Sequence, residues 1–93
     1  MHMAMVSTFQ KVDAEHVADY LRSVGEKLGV SMSEAILDLS SVQRMDATSL
    51  RALGELADLA EVKGVTIVLR GVNVESYKVL KLVKLAPRFV FLT

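Results

Sequence analysis

An acid and two hydroxyl residues lie close together in the stretch QRMDATSL, at Asp46, Thr48 and Ser49. The stretch follows an apolar run and precedes a helical pattern, so we expect Asp46 or Thr48 to cap the helix by accepting backbone N–H bonds. A Thr or Ser hydroxyl at a helix start is also a well-placed phosphate acceptor, and a phosphate adds about −1.5 to −2 charges. The helix dipole and the free N–H groups tolerate such an anion. The two interpretations are therefore compatible, and the local pattern leaves both open.

Enzyme chemistry finds little support in the other residues. His2 lies in residues 1–5, which we expect to be disordered, and His16 has no carboxylate–hydroxyl pair spaced to use it as a general base. The chain has no cysteine, which excludes thiol nucleophiles and zinc–thiolate sites. No metal-ligand spacing and no GxGxxG or GxxxxGK[ST] loop is present. We therefore predict a protein that is not an enzyme, with no catalytic residue, metal or cofactor.

Alternating patterns along the chain predict the elements that position QRMDATSL. Apolar or β-branched runs predict strands at 5–9, 35–39, 65–69 and 89–92. Helical spacing predicts a helix after each of the first three strands. This alternation favours an α/β fold, a small and mostly parallel sheet of about four strands with amphipathic helices packed on it. Sites in such sheets favour the loops after the carboxyl ends of strands, and QRMDATSL is such a loop.

Apolar spacing also predicts the buried helix faces and the helix ends. The first helix, with Asp13 as N-cap and Glu15 in its first turn, buries Val17, Leu21, Val24 and Leu28 and stops near Lys27 and Gly29. The second buries Leu50, Leu53, Ala57 and Ala60 and ends at Gly64. The third begins at the N-cap Asn73 and ends before Pro87. The pattern leaves two alternatives for its buried face, either Tyr77, Leu80 and Lys84 or the more apolar set Val79, Leu82 and Val83. The run 65–69 is apolar enough to be covered on both sides.

Composition indicates one globular domain over residues 1–93, since 52% of the residues are hydrophobic. No apolar run approaches the length of a membrane span, and the N-terminus lacks a signal-peptide pattern. We expect a cytoplasmic protein without direct membrane insertion. From Arg70 onward the sequence contains five basic residues and one acid, Glu75. This excess indicates either an anionic partner for the third helix or a helix face exposed to solvent. A near-neutral pI of 6.7 and the lack of an aromatic ladder argue against nucleic-acid binding.

Residues 35–91 contain, in this order, the segments LDLSSV, MDATSL, KGVTIVL and VLKLVKLAPRF. In order and spacing these segments resemble the pattern of a STAS domain, the fold shared by anti-sigma factor antagonists and the tails of sulfate transporters. In that pattern an apolar strand leads through a loop to Asp-Ser-Ser-Gly-Leu at a helix start. The resemblance implies a regulatory binding protein rather than an enzyme.

The family also implies a role for each residue of the loop. An antagonist-like protein would dock an anti-sigma factor that is a Ser/Thr kinase through the loop from Asp46 to Leu50, and so act in bacterial transcription regulation. Thr48 matches the phosphoacceptor Ser of the family, and Ser49 is the second choice. Partner-binding residues by the same comparison are Met45, Asp46, Ala47, Ser49 and Arg51.

The chain departs from the family pattern at a few positions. Ser49 stands where Gly is usual, and its side chain leaves less room than Gly would for another group to approach the backbone closely. Lys84 also replaces a frequent Gly. The N-terminus is about one strand shorter than in the family pattern. A second branch of small STAS proteins binds the ATPase subunit of phospholipid-transport ABC systems through a Thr or Ser in the equivalent loop. Thr48 and the short N-terminus suit that branch, so the partner is open between an anti-sigma kinase and an ABC ATPase.

Overall fold

The computed structural model describes residues 7–11, 16–29 and 33–92. The elements in chain order are β1 (Ser7–Lys11), α1 (Val17–Lys27), β2 (Glu34–Asp38), α2 (Ala47–Lys63), β3 (Thr66–Arg70), α3 (Val74–Leu82), a 3₁₀ turn (Ala86–Arg88) and β4 (Val90–Leu92). The predicted alternation of strands and helices is confirmed. The 3₁₀ turn around Pro87 was not predicted, because the proline pattern indicates only that α3 has ended.

The sheet has four strands in the order β1-β2-β3-β4, and all three pairings are parallel. The predicted α/β class with a small parallel sheet is therefore confirmed. Because β-α-β crossovers are right-handed, a sheet built in chain order receives its helices on one face. The buried side chains agree with this arrangement: Leu21 of α1, Leu53 of α2 and Leu80 of α3 form one core with Leu37 and Leu69 of the central strands.

The strand bounds differ from the predicted ones by one or two residues. β1 continues to Lys11 because the pairing with β2 extends through Gln10 and Lys11, whereas Met5 and Val6 lie outside the described residues. β2 and β3 each begin and end one residue away from the predicted bounds, since backbone pairing rather than apolar character sets a strand end.

Parts of the prediction for the first helix fall outside the described residues. The predicted cap Asp13 and the first-turn acid Glu15 are in this part of the chain, as are the expected disordered residues 1–5. α1 begins at Val17, with an exposed His16 in the N-cap position that makes no side-chain capping bond. The buried face of α1 is the predicted one, with Val17, Leu21, Val24 and Leu28 all in the core.

β3 is covered on both sides, as its unbroken apolar sequence predicts. Ile67 and Leu69 belong to the helix-covered core, and Val68, which lies on the opposite face, is also buried. The register aligns Val68 with Ile36 of β2 and Val90 of β4. Side chains of β3 are consequently buried on both faces of the sheet.

The buried face of α3 differs from both predicted alternatives. Ser76 and Leu80 are buried, whereas Leu82 is 81% exposed and Val83 is 47% exposed. The apolar alternative is wrong because Leu80 enters the core, and a residue two positions further along a helix lies on the far side. Tyr77 of the other alternative is half-exposed, and its ring packs edge-on against Phe91 at 5.1 Å between centroids.

Two helix ends use left-handed backbone conformations. Gly64 ends α2 as predicted, with φ 70°, and its N–H donates to the carbonyl of Ala60. Lys84, which follows α3, adopts φ 64° although it carries a side chain. A Cβ in this region is strained, while glycine reaches it freely. The position where the family pattern frequently has Gly is therefore a glycine-type position in this backbone as well.

Lys84→Gly should raise the free energy of unfolding by about 0.5–1 kcal/mol, because glycine relieves the left-handed strain. Lys84→Ala is the matched control, since it removes the same charged side chain and keeps the Cβ. Urea unfolding monitored by circular dichroism measures both variants. Equal stability of the two variants would show that the conformation at residue 84 carries no strain.

Candidate functional site

The loop between β2 and α2 is held at the carboxyl edge of the sheet by backbone contacts. The amide of Leu39 donates to the carbonyl of Arg70 at 2.7 Å, which extends the pairing of the central strands. At the other end of the loop, the Asn73 side-chain amide donates to the carbonyl of Gln43 at 3.1 Å. The loop therefore starts against the last residue of β3 and finishes against Asn73, which follows that strand.

Asn73 has two roles at this edge. Its Oδ1 accepts from the amide of Ser76 at 2.8 Å and caps α3, as predicted, while its Nδ2 holds Gln43. One side chain thereby joins the start of α3 to the loop that leads into α2.

Gly71 allows the two loops to approach each other closely. Its φ is 75°, and a Cβ at this position would lie 2.8 Å from the Cβ of Ser40 and 3.0 Å from its Cα. Ser40 is in turn held by a bond from its amide to Oδ1 of Asp38 at 2.9 Å. This bond restrains the backbone at Ser40, which therefore does not move away from a Cβ added at residue 71. Glycine is required at residue 71 both for its positive φ and for the close approach to Ser40.

Asp46 is the N-cap of α2. Its Oδ1 accepts from the amide of Ser49 at 2.8 Å, and the hydroxyl of Ser49 also hydrogen-bonds the carboxylate. Of the two predicted caps, Asp46 is therefore the observed one. Ala47 and Thr48, predicted as loop, are the first residues of the helix, because the cap places the helix start directly after Asp46.

The same hydrogen bonds alter the acidity of the cap. The backbone bond from Ser49, followed by the bond from its hydroxyl, holds the pKa of Asp46 below its ordinary value. Both bonds favour the ionised carboxylate, which also lies where the positive end of the α2 dipole stabilises it. Asp46 is consequently an anion at neutral pH and contributes its negative charge to the site.

Thr48 and Ser49 differ sharply in accessibility. Thr48 is exposed, and within the described part of the chain its hydroxyl makes no hydrogen bond. Ser49 is only 5% exposed, and its hydroxyl is engaged by Asp46. Only one of the two predicted acceptors therefore presents a free hydroxyl to solvent among the residues that the structure describes.

The remaining predicted partner-binding residues surround Thr48 in different ways. Ala47 and Arg51 are exposed, Asp46 is exposed as the cap, and Met45 is half-buried against the core. The exposed members form one continuous surface at the start of α2. Met45 packs against the core, so only part of its side chain is exposed at this surface.

Two clefts flank the loop. The first, of about 320 Å³, lies between the starts of α1 and α2 and is lined by Arg22, Arg44, Asp46, Thr48 and Ser49 together with the α1 residues 16–19. The second, of about 430 Å³, lies between the loop and α3 and is lined by Gln43, Arg44, Met45, Glu75, Ser76 and Val79. Arg44 borders both clefts. The loop is thus a ridge with a polar cleft on the α1 side and a cleft of mixed polar and apolar lining on the α3 side.

Sequence reasoning did not include Arg22 and Arg44 in the site. Arg44 is exposed and immediately precedes the predicted segment, so extension of that segment by one residue would have found it. Arg22 comes from α1, and its long contacts to Asp19 at 3.8 Å and Glu55 at 3.7 Å are exposed and weak. Its guanidinium therefore remains available to an anion at Thr48. Only the parallel topology, which gathers helix starts at one edge, could indicate its place.

Other kinds of site are not supported in the described residues. No group of three or more His, Cys, Asp or Glu side chains in them is arranged to hold a metal ion. Among the same residues, no helix combines the length and apolarity that crossing a membrane requires.

Gly71→Ala should lower the free energy of unfolding by about 2–4 kcal/mol, since it adds a backbone clash to left-handed strain. Gly64→Ala is the matched control. Gly64 has φ 70°, but a Cβ added there would meet no atom within 4 Å, so this variant should lose only about 1 kcal/mol. Equal losses in urea unfolding would mean that the contact with Ser40 is not tight.

The Asp46 cap should make stability depend on pH. Asp46→Ala should lower Tm by about 4–8 °C near neutral pH, whereas Asp46→Asn keeps a capping oxygen and should lower it less. Because the folded pKa lies below the unfolded one, the ionic contribution is complete above the ordinary Asp pKa of about 3.9 and is lost as pH falls through the folded value. Wild type should therefore converge on Asp46→Asn in acid. A difference in Tm that stays constant from neutral to acidic pH would contradict this.

The comparisons with known proteins agree on the fold. The STAS domain family model matches residues 2–93. A sulfate transporter family protein from Wolinella succinogenes is 26% identical with a TM-score of 0.75, and the match covers 91% of this chain and 75% of that one. The SulP transporter STAS domain from Vibrio cholerae is 20% identical with a TM-score of 0.68, covering 94% and 73% of the two chains. No curated protein sequence matches the chain. The family match spans nearly the whole sequence, and its fold is the one observed: this chain belongs to the STAS domain family.

Proposed function

We propose that this chain is a regulatory binding protein that docks a protein partner through residues 45–51, here called the docking segment, and that phosphorylation of Thr48 controls the docking. The observation that carries the proposal is the free, exposed hydroxyl of Thr48 on a capped helix start. STAS domains mediate protein–protein interactions and are in general non-catalytic. The role is therefore that of a non-enzymatic switch.

The choice of Thr48 over Ser49 rests on access and on competing bonds. A kinase must bring the hydroxyl oxygen in line with the γ-phosphate of ATP, which a side chain that is 5% exposed does not permit. Phosphorylation of Ser49 would also break the bond of its hydroxyl to Asp46 and so weaken the α2 cap. Neither cost applies at Thr48.

The surroundings of Thr48 suit a phosphate once it is formed. The position is the second of α2, where the helix dipole favours negative charge. Arg22 and Arg44 line the same cleft as Thr48, and guanidinium groups pair with phosphate oxygens. The modified protein should therefore remain folded. The effect of phosphorylation falls on the partner, because a dianion is placed in the centre of the docking segment.

The shape of the segment indicates how a partner would bind. Ala47 presents a small, flat surface beside Thr48, with Arg51 one helical turn further along. The clefts on both sides of the ridge can receive side chains of the partner. The second cleft offers both polar and apolar contacts, from Gln43, Arg44 and Glu75 and from Met45 and Val79.

The finer proposal is an anti-sigma factor antagonist-like protein. Its partner would be an anti-sigma factor that is also a Ser/Thr kinase, its process bacterial transcription regulation, and its location the cytoplasm, where ATP is available. Docking before phosphorylation would hold the kinase, and docking after phosphorylation would fail. The support is the docking segment itself, with its single accessible acceptor.

A second candidate is a STAS accessory subunit that binds the ATPase of a phospholipid-transport ABC system. The 26% identity to a sulfate transporter family protein over 91% of the chain favours a transport setting. In this role Thr48 is a contact residue at the interface and needs no phosphate.

Thr48→Glu should weaken binding to the partner at least tenfold, while it leaves the free energy of unfolding unchanged or raises it by about 0.3–1 kcal/mol, because the added charge lies at a helix start. Thr48→Val removes the acceptor and should keep wild-type affinity. Binding is measured by calorimetry with the purified partner, identified by cross-linking in native cells. Mass spectrometry of the protein from those cells should find phosphate on Thr48.

Thr66→Glu is the control for added charge, since Thr66 is also exposed but starts β3 at the opposite edge of the sheet. Wild-type affinity for Thr48→Glu, with no phosphate on Thr48, would overturn the switch. If the cross-linked partner is then a transporter ATPase, the accessory-subunit role takes its place.

A further inference from the structure

The lysines of the C-terminal helix region are not neutralised by nearby acids. Within the described residues, Lys78, Lys81 and Lys84 form no ion pair, although Arg88 pairs with both Asp58 and Glu61 at 2.8 Å. Lys81 instead lies over the ring of Tyr77, at 5.8 Å from the centroid. This part of the surface therefore keeps a positive charge that the fold itself does not use.

Apolar side chains are exposed among these lysines. Val74 is 67% exposed, Leu82 is 81% exposed and Val83 is 47% exposed. Val74, Lys78 and Leu82 are each four residues apart in α3, so they lie in one line on the side opposite the buried Leu80. We call this line, with Lys81, Val83 and Lys84 beside it, the α3 face. It combines aliphatic and cationic groups on a single solvent-facing surface.

A shallow hollow of about 510 Å³ opens beside the α3 face. Aromatic and apolar side chains form much of its wall, and amines belong to the same lining: Tyr77, Lys81, Lys84, Ala86, Pro87, Phe89 and Phe91. Rings that offer apolar contact next to ammonium groups have the chemistry that an anionic amphiphile requires.

The distribution of charge over the whole chain orients this surface. Residues 1–69 carry ten acids and six basic residues, whereas residues 70–93 carry one acid and five basic residues. Arg88 is paired with Asp58 and Glu61 of α2, so the positive charge of the α3 face comes from Lys78, Lys81 and Lys84 against the single acid Glu75 of α3. A negatively charged surface attracts this excess of cations. The net charge of the chain is zero, although its charges are unevenly distributed along the sequence.

We propose that the α3 face binds the anionic surface of a lipid bilayer. Lysine is a mobile point charge suited to a diffuse layer of headgroups, while protein interfaces are depleted in lysine. The exposed Leu82 and Val83 supply the apolar contact at headgroup depth, and the lysine stems extend alongside them. The contact is peripheral, so it is compatible with the expectation that the chain does not insert directly into a membrane.

The inference is independent of the proposed function, since the α3 face shares no residue with the docking segment. Both can hold in one molecule, in which case the docking segment is presented beside a membrane. Each can also fail alone, because the vesicle experiment below needs no protein partner.

The test is co-sedimentation of the full chain with vesicles of phosphatidylcholine and phosphatidylserine, and with vesicles of phosphatidylcholine alone. We expect binding to the anionic vesicles only, and release by added NaCl. Lys78→Gln with Lys81→Gln should lower the partition coefficient about 30-fold, since each lysine near the surface is worth about fivefold. Lys78→Gln alone should lower it about fivefold, whereas the matched single variant Lys27→Gln, which removes one exposed charge from α1, should change it by less than about twofold.

Leu82→Ser and Val62→Ser separate apolar contact from charge. Leu82 is 81% exposed on α3 and Val62 is 85% exposed on α2, so the two substitutions perturb the fold equally little. The first should lower the partition coefficient several-fold and the second should not. Thermal melting of each variant confirms that it is folded.

Three outcomes would overturn the proposal. Equal binding of wild type and of the Lys78→Gln, Lys81→Gln variant would place the contact elsewhere. Binding to soluble polyglutamate but to neither vesicle would assign the α3 face to an acidic protein. Binding to none of the probes at low salt would leave it a solvated helix face.

Discussion

The parallel pairing of β2 with β3 is the constraint on which the rest of the molecule depends. The pairing brings the ends of two strands together at one edge, and the bond from the Leu39 amide to the Arg70 carbonyl continues it into the loops. Gly71 then lies against Ser40 with no space for a side chain between them. The loop that leads into α2 has its path determined by these contacts. Exposed residues there are consequently presented on a rigid base, which a binding surface needs in order to be specific.

The order of the strands decides which groups meet at this edge. Each helix begins shortly after a strand has ended, so the starts of α1, α2 and α3 gather at the carboxyl edge of the sheet. The positive ends of three helix dipoles therefore face the same region. Asp46 neutralises part of this potential at α2, and Arg22 and Arg44 add to it. Such a region favours anions.

Local rules of the sequence account for much of this arrangement. The strand–helix alternation, the cap at Asn73 and the end of α2 at Gly64 follow from residue types at short range, and all are confirmed. The failures involve long-range packing. Burial of Ser49 depends on how α2 lies on the core, and exposure of Leu82 depends on Leu80 being drawn inward. The position of Arg22 next to Thr48 joins residues from different elements, and no local pattern contains that information.

The family pattern and the physics of the loop also complement each other. The pattern aligns Thr48 with the phosphoacceptor and leaves Ser49, at the position of the usual Gly, as the second choice. The hydrogen bonds of Asp46 favour the same order, because the hydroxyl of Ser49 belongs to the cap whereas Thr48 is exposed. A serine in place of the usual glycine is thus accommodated as part of the helix start.

The strand order has a consequence for how the chain folds during its synthesis. Because strands pair in the order in which they are synthesised, every new strand finds its neighbour already made. Among the strands of the described residues, β4 is the shortest, and there it pairs with β3 alone. We expect these four strands to assemble behind the ribosome from one edge of the sheet to the other. In the folded protein, α3 with β4 should be the first of these units to open and the first to exchange its amide hydrogens with solvent.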